Sequence, residues 1–148
     1  MRTRVGYAGG THREPTYHDL GDHTEAFQLD FDPAVITYDE LLAMFWASHR
    51  PDRPSYSRQY MAAIFAAPDQ EAAALLSRPA GARTPVITGT PFYLAEDYHQ
   101  KYYLRHTPDL WREVATLTDQ ELIDSPLAAK LNGQAWSRRM SGARGKLA

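Results

Sequence analysis

A chain of 148 residues is long enough for one domain with a buried core, and its hydrophobic content of 43% is typical of a globular protein. The formal net charge of −2 gives no electrostatic reason to expect a nucleic acid partner, and the apolar runs are too short to cross a membrane. The sequence contains no cysteine, which excludes disulfides, cysteine-ligated zinc and a cysteine nucleophile within the chain. Because no secretory segment is recognisable, we expect a cytoplasmic protein.

The first quarter of the chain predicts two strands. Residues 4–8 form a short run that the glycine pair at 9–10 ends. Residues 24–31 alternate between apolar and polar side chains, and the apolar ones share a face: Phe27, Leu29 and Phe31. Glu25 falls on that same face. We therefore expect its carboxylate to be partly desolvated, which favours the protonated form.

Capping patterns predict the helices that follow. Thr37 and Glu40 have the spacing of a capping box, which predicts a helix ending near His49 that packs Leu41, Leu42, Phe45 and Trp46. Further along, the same criteria predict a strand over 60–66, a helix over 68–76 and a strand over 86–88. A loop through 91–93 and a helix over 95–104 follow. Short helices are predicted over 107–136, and they include a second capping box at 118–121. The alternation of strands and helices favours a two-layer α+β domain over residues 1–136, with residues 137–148 as a flexible tail.

Three polar and aromatic clusters have chemical potential: residues 15–17 with 23–25, residues 59–60, and residues 92–100. Each cluster alone also fits tyrosines at the margin of a core, where the ring is buried and the hydroxyl is solvated. The His, Asp and Glu residues at 18–25 and 96–99 lack the spacing of known zinc or calcium sites, so we expect no metal.

Taken together and in order, these segments resemble the methionine sulfoxide reductase A family over residues 2–104. The segments that carry the resemblance are Val5-Gly6-Tyr7-Ala8-Gly9-Gly10, Pro15-Thr16-Tyr17, His23-Thr24-Glu25-Ala26, Phe31-Asp32-Pro33, Phe45-Trp46 with His49, Gln59-Tyr60, and Phe92-Tyr93 with Ala95-Glu96-Asp97-Tyr98-His99-Gln100. The resemblance implies a ferredoxin-like two-layer sandwich with a mixed sheet and a helical C-terminal extension. It also implies thiol-dependent reduction of methionine-S-sulfoxide, free or in proteins, to methionine.

The resemblance further implies a role for four residues. Glu25 looks like the family's glutamate, which donates a hydrogen bond to the sulfoxide oxygen, and Tyr17 and Tyr60 look like the two phenols that bind this oxygen. His99 resembles a histidine that supports the substrate site from behind. No bound cofactor is implied. The expected reductant is an external thiol such as thioredoxin, and the expected state is a monomer that binds neither nucleic acid nor membrane.

One part of the family pattern has no counterpart in this sequence. The family opens with a strand ending in Gly-Cys-Phe-Trp-Gly and a helix, and this opening carries the nucleophilic cysteine and the aromatic residues that hold the substrate's S-methyl group. Resolving cysteines are also absent, and Ser55 stands where many members have an acidic residue. As written, the chain is therefore expected to be inactive.

Three explanations of this gap remain open at the level of sequence. In the first, the true start of the protein lies upstream, and the cysteine precedes Met1 in the same reading frame. Alternatively, the gene is truncated and its product is inert. The third explanation is a repurposed protein that binds methionine sulfoxide, or another partner, without reducing it.

Overall fold

A computed structural model describes residues 1–144 and confirms an α+β fold. The strands are β1 (Arg2–Ala8), β2 (Thr24–Asp30), β3 (Ile64–Ala66), β4 (Val86–Thr88) and β5 (Phe92–Leu94). The helices are α1 (Tyr38–Ala47), α2 (Glu71–Leu76), α3 (Tyr102–Arg105), α4 (Pro108–Trp111), α5 (Asp119–Asp124) and α6 (Pro126–Arg144). Within this part of the chain, no helix combines the length and the apolar character needed to cross a bilayer.

The strands form two separate sheets. In the first, β1 lies between β2 and β5 and is antiparallel to both, and in the second, β3 and β4 run parallel. The register of the first sheet sets Tyr7 opposite Glu25 on one side and opposite Tyr93 on the other. Gly6 permits this pairing, because a Cβ atom there would lie 2.2 Å from the Tyr93 carbonyl oxygen.

The prediction of a loop through residues 91–93 is wrong, because Phe92–Leu94 form strand β5. A run of three residues that follows Pro91 carries little periodic signal of its own. Its pairing comes from β1, which lies more than eighty residues earlier in the chain and supplies the register. The strand therefore depends on tertiary context.

Three further predictions differ from the structure in where an element begins or breaks. The strand predicted over 60–66 begins only at Ile64, because Tyr60 lies in a turn, where its N–H donates to the Ser57 hydroxyl at 3.3 Å. Helix α2 begins at Glu71 instead of residue 68. The helix predicted over 95–104 is interrupted at Lys101, whose φ of 54° is left-handed.

Both capping boxes are confirmed. The Thr37 hydroxyl accepts from the backbone of Glu40 while the Glu40 side chain accepts from Thr37, and Thr118 and Glu121 repeat the arrangement at α5. Helix α6 continues to Arg144, so residues 137–144, which the sequence predicts as tail, are helical. Residues 145–148 lie outside the described part of the chain.

Twelve of the buried hydrophobic side chains in the described residues form two clusters. One joins the C-terminal helices and contains Leu104, Leu110, Val114, Leu122, Ala128, Leu131 and Ala135. The other joins α1 and α2 to β3 and contains Leu42, Trp46, Ile64, Ala66 and Ala74. Between β2 on one side and β3 with α1 on the other runs an apolar groove of about 1350 Å³.

Candidate functional site

The groove exists because two strands each present an edge to it. In the described residues, β2 pairs with β1 alone and β3 pairs with β4 alone. At one end of the groove the Glu25 N–H, at the start of β2, donates at 2.9 Å to the carbonyl oxygen of Gln59, which lies in the turn before β3. The apolar face predicted for β2 lines the groove, and Phe27 on it is 69% exposed.

Glu25 and Tyr60 are brought together by a third side chain. The Gln59 amide nitrogen donates to the Glu25 carboxylate at 2.8 Å and to the Tyr60 hydroxyl oxygen at 3.0 Å. Glu25 is exposed, so the desolvation predicted from strand phase is wrong. Its face of the sheet is open toward the groove, and nothing in the described residues covers the carboxylate there.

Tyr17 lies on the loop that follows β1, and this loop is fixed at its base. The Asp22 carboxylate accepts from the backbone N–H groups of residues 11 and 12 at 2.7–3.1 Å, and these bonds lower the pKa of Asp22 to about 2. The buried His23 ring accepts from the Gly10 N–H at 3.2 Å. Asp22 and His23 belong to the His, Asp and Glu residues considered above as metal ligands, and both bind the backbone of this loop.

Residues that follow β5 also contact Tyr17. The Tyr17 backbone N–H donates to Glu96 at 2.9 Å, and the His99 ring packs against the Tyr17 ring with 4.8 Å between centroids. Glu96 also accepts from the hydroxyl of Tyr7 at 2.8 Å. Burial first, and then this bond, raise the pKa of Tyr7 above its usual value, so the hydroxyl remains a donor.

The structure thus brings Tyr17, Glu25 and His99 to the wall of one groove and connects Tyr60 to Glu25. The hydrogen bonds by which Gln59 and Glu96 position their neighbours were not predicted from the sequence. Both residues lie within the segments that resemble the family, but only their hydrogen bonds in the structure show which groups they bind. Within residues 1–144 no group of three metal-binding side chains converges.

Comparison with known proteins assigns the sequence to one family. The profile described as peptide methionine sulfoxide reductase matches residues 1–130. The chain belongs to the peptide methionine sulfoxide reductase family. Its relatives in this family include peptide methionine sulfoxide reductase A5 of Oryza sativa subsp. japonica, which is 42% identical over 91% of this chain and 59% of its own length.

Two further members of the peptide methionine sulfoxide reductase family extend the likeness. Peptide methionine sulfoxide reductase A5 of Arabidopsis thaliana is 38% identical, again over 91% of this chain and 59% of its own length. Peptide methionine sulfoxide reductase MsrA of Methanococcoides burtonii is 40% identical over 70% of this chain and 80% of its own length. The chain thus spans about 59% of the length of the two plant relatives.

Proposed function

We propose that this chain forms the oxygen-binding part of a methionine sulfoxide reductase site. The observation that carries the proposal is the junction of Glu25 and Tyr60 through the Gln59 amide, at the end of an apolar groove that Tyr17 also lines. A sulfoxide has one strong hydrogen-bond acceptor, its oxygen, beside two apolar substituents. Donors at the end of an apolar groove match that distribution.

The three side chains suit an oxygen that gains electron density. Tyrosine hydroxyls donate hydrogen bonds at neutral pH without adding a negative charge. The family resemblance gives Glu25 the role of a third donor to this oxygen. Gln59 binds one Glu25 oxygen, which leaves the other for a ligand. His99 supports Tyr17 through its ring.

Reduction of the sulfoxide needs two electrons from outside this chain. A thiol that takes the oxygen becomes a sulfenic acid as the sulfoxide becomes a thioether, and a second thiol then releases water and leaves a disulfide. The 148 residues contain no cysteine, so neither sulfur comes from them. An external thiol such as thioredoxin, a cytoplasmic location and a monomeric state stay predictions.

The family's ferredoxin-like sheet is part of the same proposal. In the described residues, β2 and β3 each have one unpaired edge, and the Glu25–Gln59 hydrogen bond joins the start of β2 to the turn before β3. A strand between these edges would join the two small sheets into one mixed sheet. The groove faces these edges and has apolar walls. A strand in this position would bring its side chains next to Glu25.

The test is binding of methionine-S-sulfoxide to the chain, measured by titration calorimetry. We expect saturable binding of the S epimer and weaker binding of the R epimer. Tyr17→Phe, Tyr60→Phe and Glu25→Leu should each weaken binding about tenfold, the loss expected for one hydrogen bond to a polar ligand. No heat of binding with either epimer would contradict the proposal.

Matched controls test whether the loss of affinity is specific to the site, by changing a tyrosine and a glutamate elsewhere in the chain. Tyr56 is 96% exposed, so Tyr56→Phe should leave the affinity unchanged. Glu113→Leu makes the same change at an exposed carboxylate in the C-terminal part of the chain and should also have no effect. With dithiothreitol as reductant, the 148-residue chain is expected to show no turnover, and measurable turnover would contradict the expectation that the reaction needs a nucleophilic cysteine of the protein.

A further inference from the structure

Glu96 uses both of its carboxylate oxygens on groups that are distant in the sequence. Its Oε2 accepts from the Tyr7 hydroxyl at 2.8 Å, and its Oε1 accepts from the Tyr17 backbone N–H at 2.9 Å. Tyr7 belongs to the central strand of its sheet and is 2% exposed. Glu96 follows β5, which pairs with that strand. One bond therefore holds the carboxylate on the sheet, and the other holds the loop at Tyr17.

The anchors at the base of the loop do not act on Tyr17 directly. Asp22 and His23 bond the backbone of residues 10–12. Tyr17 itself is 46% exposed, and its backbone and its ring are both contacted by the short segment that contains Glu96 and His99. The direction of the Tyr17 hydroxyl thus depends on this segment.

We propose that Glu96 is a positioning residue, which binds the Tyr7 hydroxyl and the Tyr17 N–H together and so sets where the Tyr17 hydroxyl lies in the groove. The inference rests on the function proposed above for Tyr17. Only a carboxylate suits the position, because both partners are donors. A glutamine offers one acceptor oxygen, and its amide N–H₂ faces the second donor.

The ionisation of Glu96 fits this arrangement. Partial burial opposes ionisation, but the hydrogen bonds from the Tyr17 N–H, from the Glu96 N–H and from the Tyr7 hydroxyl, together with the His99 ring nitrogen 4.0 Å away, outweigh it and hold the pKa of Glu96 below its ordinary value of 4.5. At neutral pH the group is a carboxylate, which accepts from both partners. Acidification through this lowered pKa removes the charge.

The first experiment tests the contact without any ligand. In the ¹⁵N-labelled chain, the amide resonance of Tyr17 should shift on acidification with a midpoint below 4.5, as Glu96 takes up its proton. The shift should vanish in Glu96→Gln. It should persist in Asp97→Asn, which removes a neighbouring exposed carboxylate. A Tyr17 amide that does not titrate, or that titrates equally in Glu96→Gln, would overturn the inference.

The second experiment measures the consequence for the ligand. Glu96→Gln should bind methionine-S-sulfoxide about tenfold more weakly at neutral pH, and Asp97→Asn should bind it as the unaltered chain does. The ratio of the two affinities, unaltered chain to Glu96→Gln, should approach one as the pH falls below 4.5. A purely structural role would not produce this convergence. Equal affinities at neutral pH would overturn the positioning role.

Two outcomes separate this inference from the proposed function. If the unaltered chain binds no sulfoxide while the Tyr17 amide still titrates with Glu96, the contact is supported and the proposed function is contradicted. If Glu96→Gln does not fold, Tyr7→Phe serves instead, because it removes one hydroxyl and keeps the ring. Tyr7→Phe should weaken binding by a smaller factor, and unchanged affinity in it would overturn the inference.

Discussion

Gln59 is the residue on which the geometry of the proposed oxygen site depends most directly. Its single amide nitrogen donates to Glu25 and to Tyr60, and its backbone carbonyl accepts from the N–H of Glu25. The side chain and the backbone of Gln59 thus connect the start of β2 to the turn that contains Tyr60. An amide is suited to this task because it donates two protons from one atom.

We therefore predict that Gln59→Leu weakens methionine-S-sulfoxide binding about tenfold with little change in the free energy of unfolding. The leucine has a similar size but donates to neither partner, so the two oxygen-binding groups separate. Titration calorimetry measures the affinity, and urea unfolding measures the stability. Gln134→Leu, at an exposed position of α6, is the matched control and should bind normally. Normal binding by Gln59→Leu would contradict the role assigned to the amide.

At the scale of single residues, the sequence predicted the face of β2 on which Glu25 lies better than it predicted the surroundings of this side chain. Strand phase correctly put Glu25 on the apolar face of β2, but apolar neighbours bury a carboxylate only when another layer covers them. Here Phe27 on the same face is itself largely exposed, and so is Glu25. The contact of His99 with Tyr17 joins two distant segments, and no local pattern contains it.

At the scale of elements, Lys101 connects the first sheet to the C-terminal helices. Its side chain is buried, and its ammonium donates to the carbonyl oxygens of Thr3 in β1 and of Ile123 in α5, the latter at 3.0 Å. Desolvation, followed by the nearby charge of Arg4, lowers the pKa of Lys101 from 10.5 to about 8, although Asp124 opposes the shift. The charged form is therefore less favourable in the folded chain than in the unfolded one.

The resulting pH dependence has a definite sign. Between pH 8 and pH 10.5 the unfolded chain retains the Lys101 proton and the folded chain has released it, so the contribution of Lys101 to stability rises with pH in this range. We predict that Lys101→Met removes this rise, as measured by urea unfolding at pH values from about 7 to 10.5. Lys130→Met, at an exposed position of α6, should retain it. The same rise in Lys101→Met would show that another group causes it.

The elements that were predictable are those whose signals are local. Thr37 with Glu40, and Thr118 with Glu121, set the starts of α1 and α5 through bonds within three residues, and both starts are confirmed. Strand β5 was missed because its partner lies in β1. The break at Lys101 was missed because lysine rarely adopts positive φ, and here its buried ammonium holds it there.

At the scale of the whole molecule, the described part of the chain has two cores with no buried residue in common. The C-terminal cluster joins four helices, and the smaller cluster joins α1, α2 and β3. The groove separates the smaller cluster from β2, with Phe27 69% and Met44 64% exposed. An α+β class was predictable from the alternation of elements. The division into two sheets was not, because it depends on which strand edges stay unpaired on either side of the groove in the described residues.

This division predicts that the 148-residue chain unfolds in two steps. The smaller cluster buries fewer side chains and has an open apolar surface beside it, so it should lose its structure first. On heating, hydrogen exchange followed by mass spectrometry should show amides of α1 and β3 exchanging before those of α3 and α6. The groove should bind 8-anilinonaphthalene-1-sulfonate even at low temperature, because its apolar walls are accessible. A single sharp transition with equal protection in both parts, and no dye fluorescence, would show that the two clusters behave as one core.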